Sequence, residues 1–327
     1  MGQLTSPDPQ FEVTVCIANW RGAPWLADCL LSLRKVQGLR CEVILVDNAS
    51  DDASVDLVRA GFPEVQLILN TENLGFAKAN NQAIRRGRGR YFFILNNDAV
   101  LNDGCLEHLV QFLHEHPRAG VVAGRLVNAD GSIQYSYYPV SLPSLPSLVA
   151  DLLWINRLWP RGRLGRGRLA RDWNPDQPYR MEQVPGACML VRREVFEELG
   201  LFDEGYLFWY EDVDLCARCL RAGWEIWYLP GARILHRGGA SFRLLDFSSR
   251  SLLRFRSMLR YARSYFTPGR FKLLKLMMGW VLVFRMPLII MAHLWPSATA
   301  KEFWKGGWQT YSQLLKELVA TSSTKNR

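Results

Sequence analysis

From residue 13 onward the chain alternates between two hydrophobic periods. VTVCIAN (13–19), EVILVDN (42–48), EVQLILN (64–70) and RYFFILNND (90–98) are short apolar runs, rich in β-branched and aromatic residues, that close on Asn or Asp. They predict strands. Between them, PWLADCLLSLRKV (24–36), SDDASVDLVRA (50–60) and FAKANNQAIRRG (76–87) repeat their apolar positions as amphipathic helices do. Strand and helix in alternation imply a parallel sheet covered on both faces. Ligands of such sheets bind beyond the carboxyl ends of the strands, so Asn19, Asp47, Asn48, Asn96, Asn97 and Asp98 are expected to converge on one crevice. Ser50-Asp51-Asp52 reads as an N-cap with acids in the first turn of the helix it opens, a structural role.

A helix over 104–115 and a strand over 119–127 follow, and then periodicity is lost from 129 to 180. PRGRLGRGRLARD (160–172) carries five arginines and reads as a mobile basic loop suited to an anionic substrate. Strand and helix return over 182–204, and a last strand is expected within WEIWYLPGARILHRGG (224–239). From about 245 the chain changes character. FKLLKLMMGWVLVFRMPLIIMAHLW (271–295) is apolar but interrupted by Lys275, Arg285 and Pro287, so it falls short of the roughly 18 uncharged apolar residues of a spanning helix. With Trp280, Phe284, Leu288, Ile289 and Trp295 interleaved with Lys272, Lys275, Arg285 and Lys301, it predicts an amphipathic helical tail. An anionic membrane surface suits it, and core cover or a homo-oligomer contact is the alternative use. The expected division is a catalytic domain over 1–244 and a tail over 245–327.

Composition narrows the choice. With 327 residues, 49% of them hydrophobic, the chain can bury a large core. Its net charge of +9 points to an anionic partner, but no nucleic-acid-binding motif accompanies it. The polar start MGQLTSPDPQ has no basic region followed by an apolar run, from which a cytoplasmic location is expected. Seven scattered cysteines fit reduced thiols, and the single close pair, Cys216 and Cys219, falls on one helix face without the second pair a zinc site needs.

FWYEDVDLCARCLRAGW (208–224) sets Glu211, Asp212 and Asp214 directly after three aromatic residues. Acids suit a helix N-terminus, and an acid beside Phe208, Trp209 and Tyr210 loses water, which is how a carboxylate becomes a general base. Four separated segments then resemble one family, the inverting glycosyltransferases of family 2 with the GT-A fold, in its bacterial rhamnosyltransferase-like branch. They are ANWRGAPWLADCLLSL with VDNASDD, NLGFAKANNQA, ILNNDA, and GACMLVRREVFEELGLFDE through YEDVDLCARCLRAGWEIWYLPGARILHRGG, together covering about 12–240.

The resemblance implies a mixed α/β GT-A sheet with helices on both faces. It also implies a nucleotide-sugar donor (UDP- or dTDP-linked) and a polyprenyl-diphosphate-linked or glycan acceptor. Asp212 matches the family's base, with Glu211 in support and Trp209 and Tyr210 as an acceptor wall; Asp214 serves the helix start. Asp47 would hold a uracil or thymine base and Asn19 the nucleotide. Gly75, Lys78 and Asn80 would attend the diphosphate. Asp98 and His236 would ligate a divalent metal, Mg or Mn. Where the family usually has Asp-x-Asp, this chain has Asn96-Asn97-Asp98, one charge short. A non-catalytic carbohydrate-binding homologue and a sugar-phosphate nucleotidyltransferase are the competing readings; NWRGAPWL lacks the Gly-rich, Arg- and Lys-bearing phosphate loop of the latter.

Overall fold

The computed structural model describes residues 4–138, 141–153, 173–238, 247–294, 312–316 and 318. By its contacts the chain divides into two compact units, Met1–Leu142 with Leu169–Ser241, and Pro143–Arg168 with Phe242–Arg327.

The first unit is built on a mixed sheet. Strands β1 (Val13–Asn19), β2 (Cys41–Asn48), β3 (Gln66–Asn70) and β4 (Tyr91–Asn96) alternate with helices α1 (Ala23–Leu33), α2 (Ser54–Gly61) and α3 (Gly75–Arg86). These four strands lie in the order 3-2-1-4 and all pair in parallel, as the alternation predicts. Both faces are covered, so β1 and β4 run as nearly continuous buried sequence.

Beyond β4 the sheet turns mixed. Next come β5 (Ala99–Leu101), α4 (Cys105–Glu115) and β6 (Ala119–Val127), then α5 (Leu145–Leu152), β7 (Tyr179–Met181), β8 (Cys188–Arg192), α6 (Arg193–Leu199), α7 (Glu211–Arg221) and β9 (Glu225–His236). Strand β8 runs antiparallel between β4 and β6, while β9 is parallel to β6 and antiparallel to β5 and β7. A proline inside a twelve-residue strand would ordinarily break its ladder. Here Pro230 lies where the β6 to β9 register jumps, between Leu229 and Arg233, so its missing N–H falls in a bulge.

Three expectations are corrected. The run 90–98 stops as a strand at Asn96, and the next two residues form the turn into β5. The aperiodic stretch 129–180 contains a 3-10 turn (Tyr135–Tyr137), α5 and β7. Helix α2 begins at Ser54, and Ser50-Asp51-Asp52 does not cap it through an N-cap side chain. Near the start of α1, Ser50 Oγ accepts from Arg21 N (2.9 Å), Asp52 Oδ2 from Ala23 N (3.0 Å) and Ser54 Oγ from Gly22 N (3.1 Å), while Asp52 Oδ1 accepts from Ser54 N (3.1 Å) at the start of α2. They thus satisfy backbone donors at the start of the preceding helix, on the other side of β2 in sequence. The basic loop 160–172 lies outside the described residues.

In the second unit α8 (Phe247–Tyr265) and α5 pack against α9 (Pro268–Leu294). Among the described residues no helix is long and apolar enough to cross a membrane. Trp295 and Lys301 lie outside the described residues, as do the side chains of Arg285, Leu288 and Ile289.

Candidate active site

Strand register assembles the first half of the site. Asn19 ends β1 opposite Asp47 at the end of β2. Asn19 Nδ2 donates to Asp47 Oδ1 (2.7 Å), Ser50 N to Asp47 Oδ2 (2.8 Å), and Asn97 Nδ2 to Asn19 Oδ1 (2.7 Å). One strand over, Asn48 pairs with Asn70, donates to Gly75 O (3.2 Å) and accepts from Asn70 Nδ2 (2.9 Å). Asn97, Asn19 and Asp47 thus form one buried hydrogen-bonded chain across the strand ends, with the buried Asn48 tied to Asn70 and Gly75 beside it.

Gly22 has no room for a side chain, because a Cβ there would overlap Asn19 Oδ1 and Asn97 Nδ2. The sequence reading passed over this residue, although a glycine two residues past a strand-ending Asn-x is the available signal. Gly22→Ala is expected to cost about 1–3 kcal/mol in denaturant unfolding, the range for forcing an atom into packed surroundings. It should also weaken stabilisation by nucleotides; unchanged values for both would disprove the constraint.

Gly75 adopts φ +82°, and a Cβ there would sit 2.6 Å from Leu207 O, which also accepts from Phe76 N (3.4 Å). The close approach seen at Gly75 is therefore to the segment before α7. Lys78 is half-buried, and its charge helps hold the Glu204 carboxyl below its usual range; the direct partners Asn81 and Arg85 do so more strongly. Asn80 turns back along its helix, donating to Phe76 O (3.0 Å), while its Oδ1 is buried without a partner among the described residues.

The second half is set by β5 and β9. Ala99 pairs with His236, and Arg237 N donates to Asp98 O (3.1 Å), so residues 138 apart in sequence become neighbours. His236 Nε2 stands 3.4 Å from Asp98 Oδ1 and 3.2 Å from Asn96 Nδ2, and its Nδ1 lies 2.8 Å from Gln134 Oε1. His236 and Asp98 are 1% and 2% exposed. Burial pushes the imidazole below its usual range, against an upward pull from Asp98, which favours the neutral form. An imidazole nitrogen facing a carboxylate oxygen across that gap is a donor pair suited to a hard divalent cation. Among the described residues no group of three or more His, Cys, Asp or Glu gathers, so Asp98 and His236 are the candidate pair and any further positions around a cation would fall to oxygen donors. Asn97 is turned away to Asn19.

Asp212 and Glu211 open α7 just after Trp209 and Tyr210, whose φ angles are +63° and +70°. Two consecutive left-handed residues that are not glycine store strain, and the other such residues, Arg21 (+51°) and Ala49 (+55°), also follow strand ends at this crevice. Asp212 Oδ2 accepts from Gly186 N and Oδ1 from Val213 N, both at 2.8 Å. The adjoining Ala187 O accepts from Asn96 N (3.0 Å), so one short segment holds both the acid and the end of β4. Burial raises Asp212 above its ordinary range, offset by those backbone donors. Glu211 is more deeply buried, its Oε2 has no partner among the described residues, and burial followed by the Asp212 charge pushes it well up. Two carboxyls with different environments can divide their roles: one protonated, one available as base. Asp214 pairs with Arg218 (2.9 Å) within the helix, a structural use. Trp209 and Tyr210 are half-buried. Burial pushes the Cys216 thiol well above its ordinary range and Cys219 up to about 12, which leaves both without thiolate character.

The family model described as Glycosyl transferase family 2 matches residues 14–200, more than half of the chain. The chain belongs to glycosyl transferase family 2. Among family 2 relatives, it is 29% identical over 235 residues to the N-acetylglucosaminyl-diphospho-decaprenol L-rhamnosyltransferase of Mycobacterium tuberculosis, covering 68% of this chain and 75% of that one. It is 24% identical over 220 residues to the dTDP-rhamnosyl transferase RfbF of Shigella flexneri, covering 66% of each. The mannosyltransferase PcManGT of Pyrobaculum calidifontis, solved in complex with GDP-Man and Mn2+, shares its fold at a TM-score of 0.52 and 20% identity, over 97% of this chain and 88% of that one. Asn19, Asp47 and Asp98 lie within the matched residues, and Glu211, Asp212 and His236 lie beyond residue 200 in the same compact unit.

Proposed function

We propose that this glycosyltransferase moves a sugar, with inversion, from a UDP- or dTDP-linked donor to a polyprenyl-diphosphate-linked acceptor in cell-surface polysaccharide synthesis. The observation that carries the reading is the Asp212 carboxylate, raised by burial and aimed by two backbone N–H groups, in a chain whose mycobacterial relative is named for a lipid-diphosphate acceptor. Asp212 takes the proton of the acceptor hydroxyl as that oxygen attacks the anomeric carbon. The bond from that carbon to the diphosphate oxygen breaks on the opposite face, and the nucleoside diphosphate leaves with the electron pair. Asn19 and Asp47 hold the nucleotide, with Asn48 and Gly75 beside them. Glu211 supports Asp212, and Trp209 and Tyr210 flank the acceptor. Asp98 Oδ1 and His236 Nε2 would hold Mg or Mn, which neutralises charge gathering on the leaving diphosphate. The test is turnover with UDP-, dTDP- and GDP-sugars on a polyprenyl-diphosphate-linked amino sugar. Nucleoside diphosphate release with a lengthened lipid product supports the reading, and donor binding without turnover would favour a non-catalytic homologue.

Such an acceptor lies at a membrane, and α9 suits the cytoplasmic leaflet. Leu273, Leu276, Trp280, Val283 and Phe284 form one exposed apolar stripe, opposite the buried Leu274, Met278, Val281 and Leu282. Residues 247–294 carry nine Lys and Arg and no Asp or Glu, which accounts for the whole net charge of +9. An apolar face on a basic helix pair fits an anionic lipid surface, at about 1 kcal/mol per basic residue near it. The full chain is expected to sediment with phosphatidylglycerol liposomes at low salt, and Trp280→Glu with Phe284→Glu to stay largely in the supernatant. Wild-type protein remaining in the supernatant would assign the face to packing or oligomer contact.

A further inference from the structure

Gln134 is buried and lies 102 residues from His236 in sequence, yet it contacts the histidine twice. Its Nε2 donates to His236 O (2.6 Å) and to Asn128 Oδ1 (2.8 Å), while its Oε1 meets His236 Nδ1 at 2.8 Å. A backbone carbonyl only accepts, so the amide group of Gln134 can face it in one sense alone: nitrogen toward the carbonyl, oxygen toward the ring. The reversed amide would set two acceptors against each other at that carbonyl. Asn128 is fixed in turn, since Ser132 Oγ donates to Asp130 Oδ1 (2.6 Å) and so accepts from Asn128 Nδ2 (2.8 Å).

It follows that Nδ1 of His236 carries the ring proton. A neutral imidazole has one N–H, so Nε2 bears the lone pair, and that atom is the one facing Asp98 Oδ1 and Asn96 Nδ2. Tyr137 stands edge-on to the ring at 5.1 Å between centroids and limits its rotation. The rival arrangement, with Nε2–H donating to Asp98 as a closed structural pair, needs the reversed Gln134 amide.

We infer that Gln134 is a positioning residue that locks His236 as the Nδ1–H tautomer and so presents the Nε2 lone pair to a divalent cation. The inference rests on the proposed metal role of Asp98 and His236. Until a cation arrives the lone pair accepts from Asn96, the residue that stands where the family usually has an aspartate.

The test is tautomer assignment by long-range proton–nitrogen correlation on full-length protein with 15N-labelled histidine. The His236 signals are identified by their loss in His236→Gln. Wild type is expected to show a protonated Nδ1 and an unprotonated Nε2. Gln134→Leu, which offers Nδ1 no acceptor, should lose that pattern. With Mn2+ alone as the probe, paramagnetic broadening of the His236 signals should require about ten- to a hundredfold more metal in Gln134→Leu than in wild type. A protonated Nε2 in the wild type overturns the inference at once, even where Gln134→Leu proves unstable; so does an unchanged pattern in Gln134→Leu. A wild type with the expected tautomer but no response to Mn2+ overturns the presentation to metal and the metal reading together, leaving the lock as structure alone.

Discussion

Asp212→Asn is expected to lower turnover by about two to four orders of magnitude while donor binding persists, the range for losing a general base. The carboxylate accepts backbone N–H groups at both oxygens. An amide keeps one acceptor and turns its NH2 toward the other donor, so about 1 kcal/mol of stability should go as well. That is too little to unfold the protein, and thermal unfolding separates the two effects. The pH profile gives a second reading. Because burial raises the Asp212 pKa, its proton stays on to a higher pH than on an ordinary aspartate. Activity should therefore fall as pH drops through a limb lying above the usual carboxylate range, and the residual activity of the variant should lack that limb. Near-normal turnover in Asp212→Asn would move the base to Glu211.

Removing either member of the Asp98–His236 pair is expected to have the next largest effect. Asp98→Ala or His236→Ala should lower activity by about two orders of magnitude or more, since a cation at a developing diphosphate is worth several kcal/mol. Wild-type activity should need millimolar Mg2+ or Mn2+: two protein ligands make a weak site, and Asn96 Nδ2 already donates to the nitrogen that must bind. Activity titrated against metal, with and without chelator, measures this. Full activity in excess chelator would leave Asp98 as a hydrogen-bonding residue.

Strand-ending residues were legible because the parallel half of the sheet obeys a local rule. A run such as VTVCIAN has to be buried on both faces, so its polar terminus is where the chain leaves the core. Asn19, Asp47, Asn48 and Asn96 follow from that alone. The partner of Asp98 is another matter. His236 reaches it through an antiparallel strand that restarts after the bulge at Pro230, and no periodicity encodes a register jump. Resemblance to a family found His236, whereas the residues did not. Gln134 left no signal, since a glutamine in an aperiodic stretch looks like any loop residue until the fold sets it under a histidine. Helix α5 escaped for a local reason: the prolines in SLPSLPSL interrupt its apolar spacing, and its capping box rests on two serines rather than Ser with Glu. The caps of α1 escaped because Ser50, Asp52 and Ser54 precede a helix of their own, and sequence proximity assigns them there.

The whole net charge is confined to residues 247–294 and the rest of the chain is in balance, so the positive charge is gathered in one segment and not spread along the chain. A charged surface pulls such a body and also turns it. The torque begins within about a Debye length, about 8 Å at physiological ionic strength, before any side chain touches lipid. On the proposed membrane role, arrival would be biased toward the orientation that brings residues 247–294 to the surface. On the same proposal, raising salt should slow landing more than it weakens a complex seated by the apolar stripe.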